Sequence, residues 1–199
     1  NKYLDQFSEN DKNNFKENLK IINNQIKQIE NLVNEFSDFA RMPKPIMKKN
    51  NLVTLLNDTI NLLKELDKSI EIKFNNNHNH IELNCDPEQL SRVFFNLIKN
   101  SIESIHQKAE KSPDFDKKIS IELNDFDDHI RLIINDNGIG FGGLEKNIKD
   151  ILNPYFTTKK NGTGLGLSIV NKIVNDHNGN IRFLKIDDGA RIEIIFSKK

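Results

Sequence analysis

Two runs decide the fold of this chain, Leu132-Ile-Ile-Asn-Asp-Asn-Gly-Ile-Gly140 and, further on, Gly162-Thr-Gly-Leu-Gly-Leu-Ser-Ile-Val170. In the first, the apolar Leu132, Ile133 and Ile134 read as a strand that delivers Asp136 into Asp-Asn-Gly-Ile-Gly. There Gly138 and Gly140 free the backbone to approach a ligand closely or to take positive φ. In the second, glycines open a helical pattern of Leu165, Ile169 and Ile173 with Leu167 and Val170 beside them. Glycine amides before a helix N-terminus are anion-binding chemistry. Taken alone, Asp-Asn-Gly is an ordinary tight-turn signal, and Gly-x-Gly-x-Gly is more often a loop than a phosphate cradle.

Upstream, Gln89-Leu-Ser-Arg-Val-Phe-Phe-Asn-Leu-Ile-Lys-Asn-Ser-Ile-Glu-Ser-Ile105 continues a helix that Asp86-Pro87-Glu88 caps and that runs to about Lys108. Asn96 and Asn100 stand four apart on it, hence on one face, with Glu103 one turn further along. A carboxamide oxygen can ligate Mg²⁺ and an amide NH₂ can donate to a phosphate, so a neutral pair suits a site crowded with anionic oxygens. A lone Asn pair is otherwise a solvated polar stripe; the two glycine runs favour the site.

Toward the N-terminus, Phe15, Leu19, Ile22, Ile26, Ile29, Val33, Phe36 and Ala40 alternate steps of four and three, the seam of a coiled coil or antiparallel bundle. Ser8, Asn10 and Asp11 are its candidate caps. Such a helix needs a partner for its stripe. Met42-Pro43-Lys44-Pro45 ends it and marks a boundary, giving a unit over 1–45 and a second over 46–199. Asn51 to Leu66 reads as an amphipathic helix, Ile70 to Phe74 as a strand and Asn75 to His80 as a loop. Lys111 to Lys117 reads as a loop; Ile119 to Leu123 and Ile130 to Ile134 form a hairpin about Asp125 to Asp128. Asn180 to Ile186 and Ala190 to Phe196 form a closing hairpin about Asp187-Asp188-Gly189. Between Gly142 and Gly164 the composition fits a mobile lid, briefly ordered at Ile148 to Leu152.

The bulk properties narrow the function. Lys+Arg and Asp+Glu are equal at 29 each, which leaves no global field for nucleic acid or for cationic partners, so binding must come from a local site. The single cysteine, Cys85, excludes an internal disulfide, fits a reducing compartment and reads as a small buried hydrophobe. No apolar run has transmembrane length and no signal segment opens the sequence, which favours a soluble, cytoplasmic fragment.

In this order, the runs resemble the ATP-binding domain shared by sensor histidine kinases, gyrase, the Hsp90 chaperones and MutL. The resemblance covers nearly the whole chain. Asn51 to Lys199 match the catalytic domain, and Phe36-Ser-Asp-Phe-Ala-Arg-Met-Pro-Lys-Pro45 resembles the end of the dimerisation hairpin in NtrY-like nitrogen-regulation kinases. It implies an α+β fold of the Bergerat type, a two-layer sandwich of a mixed sheet with helices on one face, preceded by a long bundle-forming helix. It implies ATP and Mg²⁺ as ligands, with Asn100 the metal ligand and Asn96 its phosphate-side companion. Asp136 takes the adenine amino hydrogen, and Gly138 and Gly140 let the backbone pass the nucleotide. Phe156, in Asn153-Pro-Tyr-Phe-Thr157-Thr158-Lys159, matches the box that packs the lid, although simple core is the better reading of its ring. Lys159 or Lys160 could neutralise a phosphate, or could simply be solvated. Gly162, Thr163, Gly164, Leu165, Gly166 and Leu167 surround the triphosphate.

The hydrolytic branch of the family carries a glutamate where this chain has Asn96. An amide has no usable proton affinity near neutral pH, so the site is expected to hold ATP without readily attacking it with water. The resemblance therefore implies a protein-histidine kinase with a response-regulator receiver domain as partner. It also implies a homodimer through helix 15–40, no nucleic acid, and membrane contact only through upstream segments of a longer protein. Alternatives are an ATPase or clamp of the same fold, and a dimerisation module without catalysis. Two departures stand out: Gly189-Ala190 replaces the usual Gly-Thr or Gly-Ser, and no phosphoacceptor His-Glu motif is present. None of His78, His80, His106, His129 and His177 lies on the Phe15 to Ala40 helix. The acceptor is expected on a preceding helix, and the isolated chain is expected not to autophosphorylate. His78 and His80 could hold a metal but read better as solvated.

Overall fold

The computed structural model describes residues 9–141, 148–159 and 162–198. A long helix, α1 (Glu9–Ala40), precedes β1 (Lys48–Asn51), α2 (Leu52–Leu66), β2 (Glu71–Asn76), β3 (Glu82–Cys85) and α3 (Pro87–Lys111). The hairpin β4 (Lys118–Asp125) and β5 (His129–Asp136) follows, then a short 3₁₀ turn (Ile148–Leu152), α4 (Gly166–Asp176), β6 (Gly179–Lys185) and β7 (Ala190–Ser197). Five strands form one mixed sheet in the order β2-β4-β5-β7-β6. Among the described strands of this sheet only β2 and β4 run parallel, because the chain returns through α3 between them; hairpins join β4 to β5 and β6 to β7, and β7 pairs antiparallel with β5 after the chain has passed through α4 and β6. Strand β5 is central, between β4 and β7, and Asp136 is its last residue, paired across to Ile119 and Ala190.

Alternation sets the two layers. Ile119, Ile121 and Leu123 on β4, Ile130, Leu132 and Ile134 on β5, and Ile192, Ile194 and Phe196 on β7 all enter one buried cluster. The apolar stripes of α2, α3 and α4, among them Leu56, Phe94, Leu97, Ile98 and Ile173, cover that face. Each such buried side chain contributes about 1.5–3 kcal/mol of transfer free energy. The expected one-sided α+β sandwich is the one observed.

The small antiparallel sheet β1-β3 has no sequence signal, since Lys48-Lys-Asn-Asn51 is polar throughout; it forms because β3 returns beside the entry to α2. Asn51 caps α2 by accepting from Val53 N at 3.1 Å, and Asp86 caps α3 by accepting from Glu88 N and Gln89 N. Helix α3 runs to Lys111, a turn past the expected end. At the start of α1 the caps are corrected: Asn10 and Asp11 lie inside the helix, and Ser8 falls outside the described residues.

The proline segment after α1 is extended but pinned. Pro43 O accepts from Gln89 Nε2 at 3.1 Å, and Ile46 N donates to Asp86 Oδ2 at 2.8 Å. Burial pulls the Asp86 carboxyl up, yet the N–H groups of Ile46, Gln89 and Glu88 outweigh it and hold it below its ordinary 3.8. Behind it, His177 is buried; its Nε2 accepts from Asp86 N at 2.9 Å, and its Nδ1 lies 2.8 Å from Ile173 O. One neutral tautomer, protonated on Nδ1, satisfies both bonds and ties the end of α4 to the start of α3. Cys85 is fully buried, and desolvation pushes its thiol up to about 11, so it behaves as the small hydrophobe expected.

On α1, by contrast, Phe15, Ile22, Ile29, Val33 and Phe36 stay exposed, Ile29 by 61%. Toward its C-terminal end Glu35 bonds Thr163 and Phe39 packs against the core, as does Met42 just beyond the helix. No helix of the described residues is long and apolar enough to cross a membrane.

Candidate functional site

The site is assembled around α3. At one end, Asp136 is carried by the buried strand β5 to a position 5% exposed. Its Oδ1 accepts from Gly138 N and its Oδ2 from Ser101 Oγ, both at 3.0 Å. Burial raises the Asp136 carboxyl above its ordinary 3.8, against the Gly138 N–H and the Ser101 hydroxyl, which favour the ionised form. Gly138 is obligatory for this seat: a Cβ there would stand 2.2 Å from Ser104 Oγ and 2.7 Å from Ile105 N. Ser104 Oγ is buried, makes no hydrogen bond of full geometry among the described residues, and stands close enough to Asp136 to favour its ionised form.

The β6–β7 turn closes on the same seat. Gly189 takes φ +94, and a Cβ on it would lie 1.8 Å from Asp136 O. The sequence marked Gly189 as a hairpin turn residue and, with Ala190, as a departure from the usual Gly-Thr or Gly-Ser. Its signal was the turn dipeptide Asp188-Gly189, but that the turn lands on Asp136 is a consequence of β7 pairing with β5. Ser101 was likewise missed, although it adjoins Asn100 on the helix.

At the other end of the site, on a neighbouring face of the same turns of α3, Asn96 and Asn100 are half-buried on the expected common face. A Cβ on Gly166 would lie 3.9 Å from Asn96 Oδ1, so the first residue of α4 faces the Asn96 carboxamide. Among the described residues no side chain caps α4, and its first amides keep the free donors the glycine pattern predicted. Asn100 Oδ1 accepts from Lys159 Nζ at 2.7 Å, and the same ammonium is bonded to Glu103 Oε2.

The lid segment has a neck. Tyr155 N donates to Gly164 O at 3.1 Å, with Tyr155 at φ 68 and Gly164 at φ +71. A left-handed tyrosine is a strained residue held by its surroundings. Between the two arms, Lys159 N donates to Thr157 Oγ1 and Gly162 N to Lys159 O. Phe156 is half-buried against the core cluster, as its ring chemistry suggested, while Thr157 and Thr158 are exposed. Thr163 donates its hydroxyl to Glu35 Oε2 of α1 and accepts from Leu165 N at 3.3 Å. Leu165 is buried core, and Leu167 packs beside it. Gly140 takes φ +66 against Gly189 O. Lys160 and residues 142–147 of the expected lid lie outside the described residues. His78 and His80 are exposed, and the described residues contain no cluster of three or more His, Cys, Asp or Glu placed to hold a metal.

The site residues therefore fall on two faces of the middle of one helix, with Asp136, Gly138 and Gly140 on the side of Ser101 and Ser104, and Lys159 and the start of α4 on the side of Asn96, Asn100 and Glu103. Residues 85–199 match the family described as histidine kinase-, DNA gyrase B- and HSP90-like ATPase. A sensor histidine kinase NtrY-like protein of Rickettsia prowazekii (strain Madrid E) is 36% identical over 191 residues, covering 96% of this chain and 31% of that protein. This chain thus spans about a third of such relatives. The catalytic domain of the histidine kinase ThkA matches with a TM-score of 0.66 at 27% identity, over 77% of this chain and 96% of that one. The ThkA chain solved in complex with the response regulator protein TrrA shares the fold over 93% of this chain and 52% of its own, at 24% identity and a TM-score of 0.74. The matched segment begins at Cys85, just before α3, and takes in every strand and helix that carries the site. The chain belongs to the histidine kinase-, DNA gyrase B- and HSP90-like ATPase family.

Proposed function

We propose that this chain is the ATP-binding catalytic part of a two-component sensor histidine kinase, with a bundle-helix unit over 1–45 and the catalytic unit over 46–199. The γ-phosphoryl of ATP passes to a histidine nitrogen on a helix that is not in this sequence. The bond from phosphorus to the β–γ bridging oxygen breaks, the N–P bond forms, ADP leaves, and the phosphoryl is relayed to a response-regulator aspartate. The exposed stripe of α1 serves a homodimer, and the unit works in the cytoplasm as part of a longer, membrane-anchored protein.

The observation that carries this reading is that one helix, α3, joins a buried carboxylate to a cation-facing amide. Through Ser101 it holds Asp136, whose remaining lone pairs suit an adenine amino group; the Ser104 hydroxyl beside Gly138 faces the same carboxylate. Through Asn100 it presents an oxygen that already accepts from a cationic nitrogen, so the donor fits Mg²⁺. Bound there, the ion would neutralise charge on the phosphates. The free amides of α4 receive phosphate oxygens, and Asn96, an amide where hydrolytic relatives have a base, leaves water unactivated. Positioning and charge neutralisation do the rest.

Titration calorimetry with ATP and Mg²⁺ tests binding. Labelled ATP with a separate fragment bearing the acceptor helix tests transfer. Label is expected on that fragment only; acid-labile label on the 199-residue chain itself would overturn the assignment, and steady phosphate release would favour an ATPase.

A further inference from the structure

Lys159 does something the nucleotide reading alone does not require. Its ammonium stands on Asn100 Oδ1 at 2.7 Å and on Glu103 Oε2, and is only 30% exposed. Glu103 is shared, its Oε1 lying 3.9 Å from Lys99 Nζ. The acceptor pair is thus one amide oxygen and one carboxylate a turn apart on α3, the donor chemistry of a hard-cation site, and it is filled by a cation from the lid segment.

We propose that Asn100 and Glu103 form a single cation subsite whose built-in occupant is Lys159, which competes there with the divalent ion that nucleotide phosphates bring. The proposal rests on the nucleotide reading above. A divalent ion held by the Asn100 carboxamide oxygen would stand close to the ammonium, which lies 2.7 Å from that same atom. Two like charges that close repel, and the ion's water shell needs the space. The two cations therefore exclude one another. Displaced, the ammonium leaves a carboxylate and meets phosphate oxygens, a replacement of one anion by another. Lys159 N is bonded to Thr157 Oγ1 and Lys159 O to Gly162 N, so displacement of the ammonium is felt at Thr157 and Gly162. Glu103 is thereby a cation-holding residue beside Asn100.

The test uses the full 199-residue chain, titrated with ATP by calorimetry at stepped Mg²⁺ concentrations, as wild type, Lys159→Met, and Lys159→Met with Glu103→Gln. Lys159→Met should lower the Mg²⁺ concentration for half-maximal affinity about two- to fivefold, the scale of a part-exposed ion pair, while weakening ATP at saturating Mg²⁺. A simple phosphate-binding lysine gives only the second effect. In the Lys159→Met background, Glu103→Gln should raise the Mg²⁺ requirement again. A requirement unchanged or raised in Lys159→Met overturns the competition, and one unmoved by Glu103→Gln removes Glu103 from the subsite. Wild-type chain that binds no ATP at any Mg²⁺ concentration would overturn the nucleotide reading itself, so the two failures are distinct. Hydrogen exchange without nucleotide is a second readout: the Thr157 to Lys159 amides should exchange faster in Glu103→Gln than in wild type, and equal exchange counts against the latch.

Discussion

The two ends of the proposed nucleotide site are built from different materials. The base end is a strand terminus inside the core: Asp136 is buried, bonded by a backbone N–H and a buried hydroxyl, and roofed by Gly189. The phosphate end is a meeting of half-exposed side chains, in which Lys159 and Thr163 of the lid segment are held by the carboxylates of Glu103 and Glu35. The first is fixed by packing, so altering it costs the fold. The second is fixed by one part-exposed ion pair, worth ~0.2–1 kcal/mol, and one hydroxyl–carboxylate hydrogen bond, so altering it changes ligand response. Selectivity for a base needs a rigid seat, whereas admitting and releasing a triphosphate needs contacts that can be exchanged.

The largest effect should come from Gly189→Ala. Its Cβ would fall 1.8 Å from Asp136 O at a φ of +94, and the loss of stability should be about 3 kcal/mol or more. Thermal melting measures it; a wild-type melt would show that the turn does not hold the base end. Asp136→Asn comes next, with ATP binding weaker by about 2–3 kcal/mol and adenine selectivity lost, because the amide offers a donor to a donor. Equal losses for ATP and GTP would break the base-end assignment.

The same carboxylate gives a pH signature. Burial raises Asp136 in the folded chain, so its contribution to folding stability is full below its ordinary 3.8 and is lost as pH rises through the raised value. Adenine recognition uses the ionised form and runs the other way: ATP affinity should fall as pH drops through that window, with proton release on binding measurable by calorimetry in two buffers. A pH-independent affinity there would separate Asp136 from the base.

Asn100→Ala should cost about 1–2 kcal/mol of Mg²⁺-dependent affinity and leave melting nearly unchanged, the reverse of the Gly189 result. The smallest effect is expected from Glu35→Gln. It loosens Thr163 from α1 by less than ~1 kcal/mol, and shows as faster hydrogen exchange at Gly162 to Gly164 with no change in melting. Unchanged exchange would mean that α1 does not hold the lid arm.

Much of this was legible in the sequence because the signals were local and periodic. The alternation in Ile119 to Leu123 and Ile130 to Ile134, the cap at Asp86-Pro87 and the Asn96–Asn100 spacing each report a single element whose period exposes its buried face. The polar strand at Lys48 to Asn51 was not legible, since its pairing with β3 draws on backbone bonds that any residue supplies. Nor was His177, whose role needs the end of α4 to lie beside the start of α3.

The sequence by itself determined the composition of the site: a carboxylate at a strand end, glycines before a helix, and carboxamides four apart. Only the tertiary structure decided which groups share a bond. Ser101 on Asp136, Gly189 over its carbonyl, Lys159 on Asn100 and Glu103, and Thr163 on Glu35 are all contacts between segments far apart in the chain. The physical reason is that local patterns set which face of an element is buried, whereas hydrogen bonds and charge pairs depend on distances of a few ångströms that only the packed sheet and helices fix.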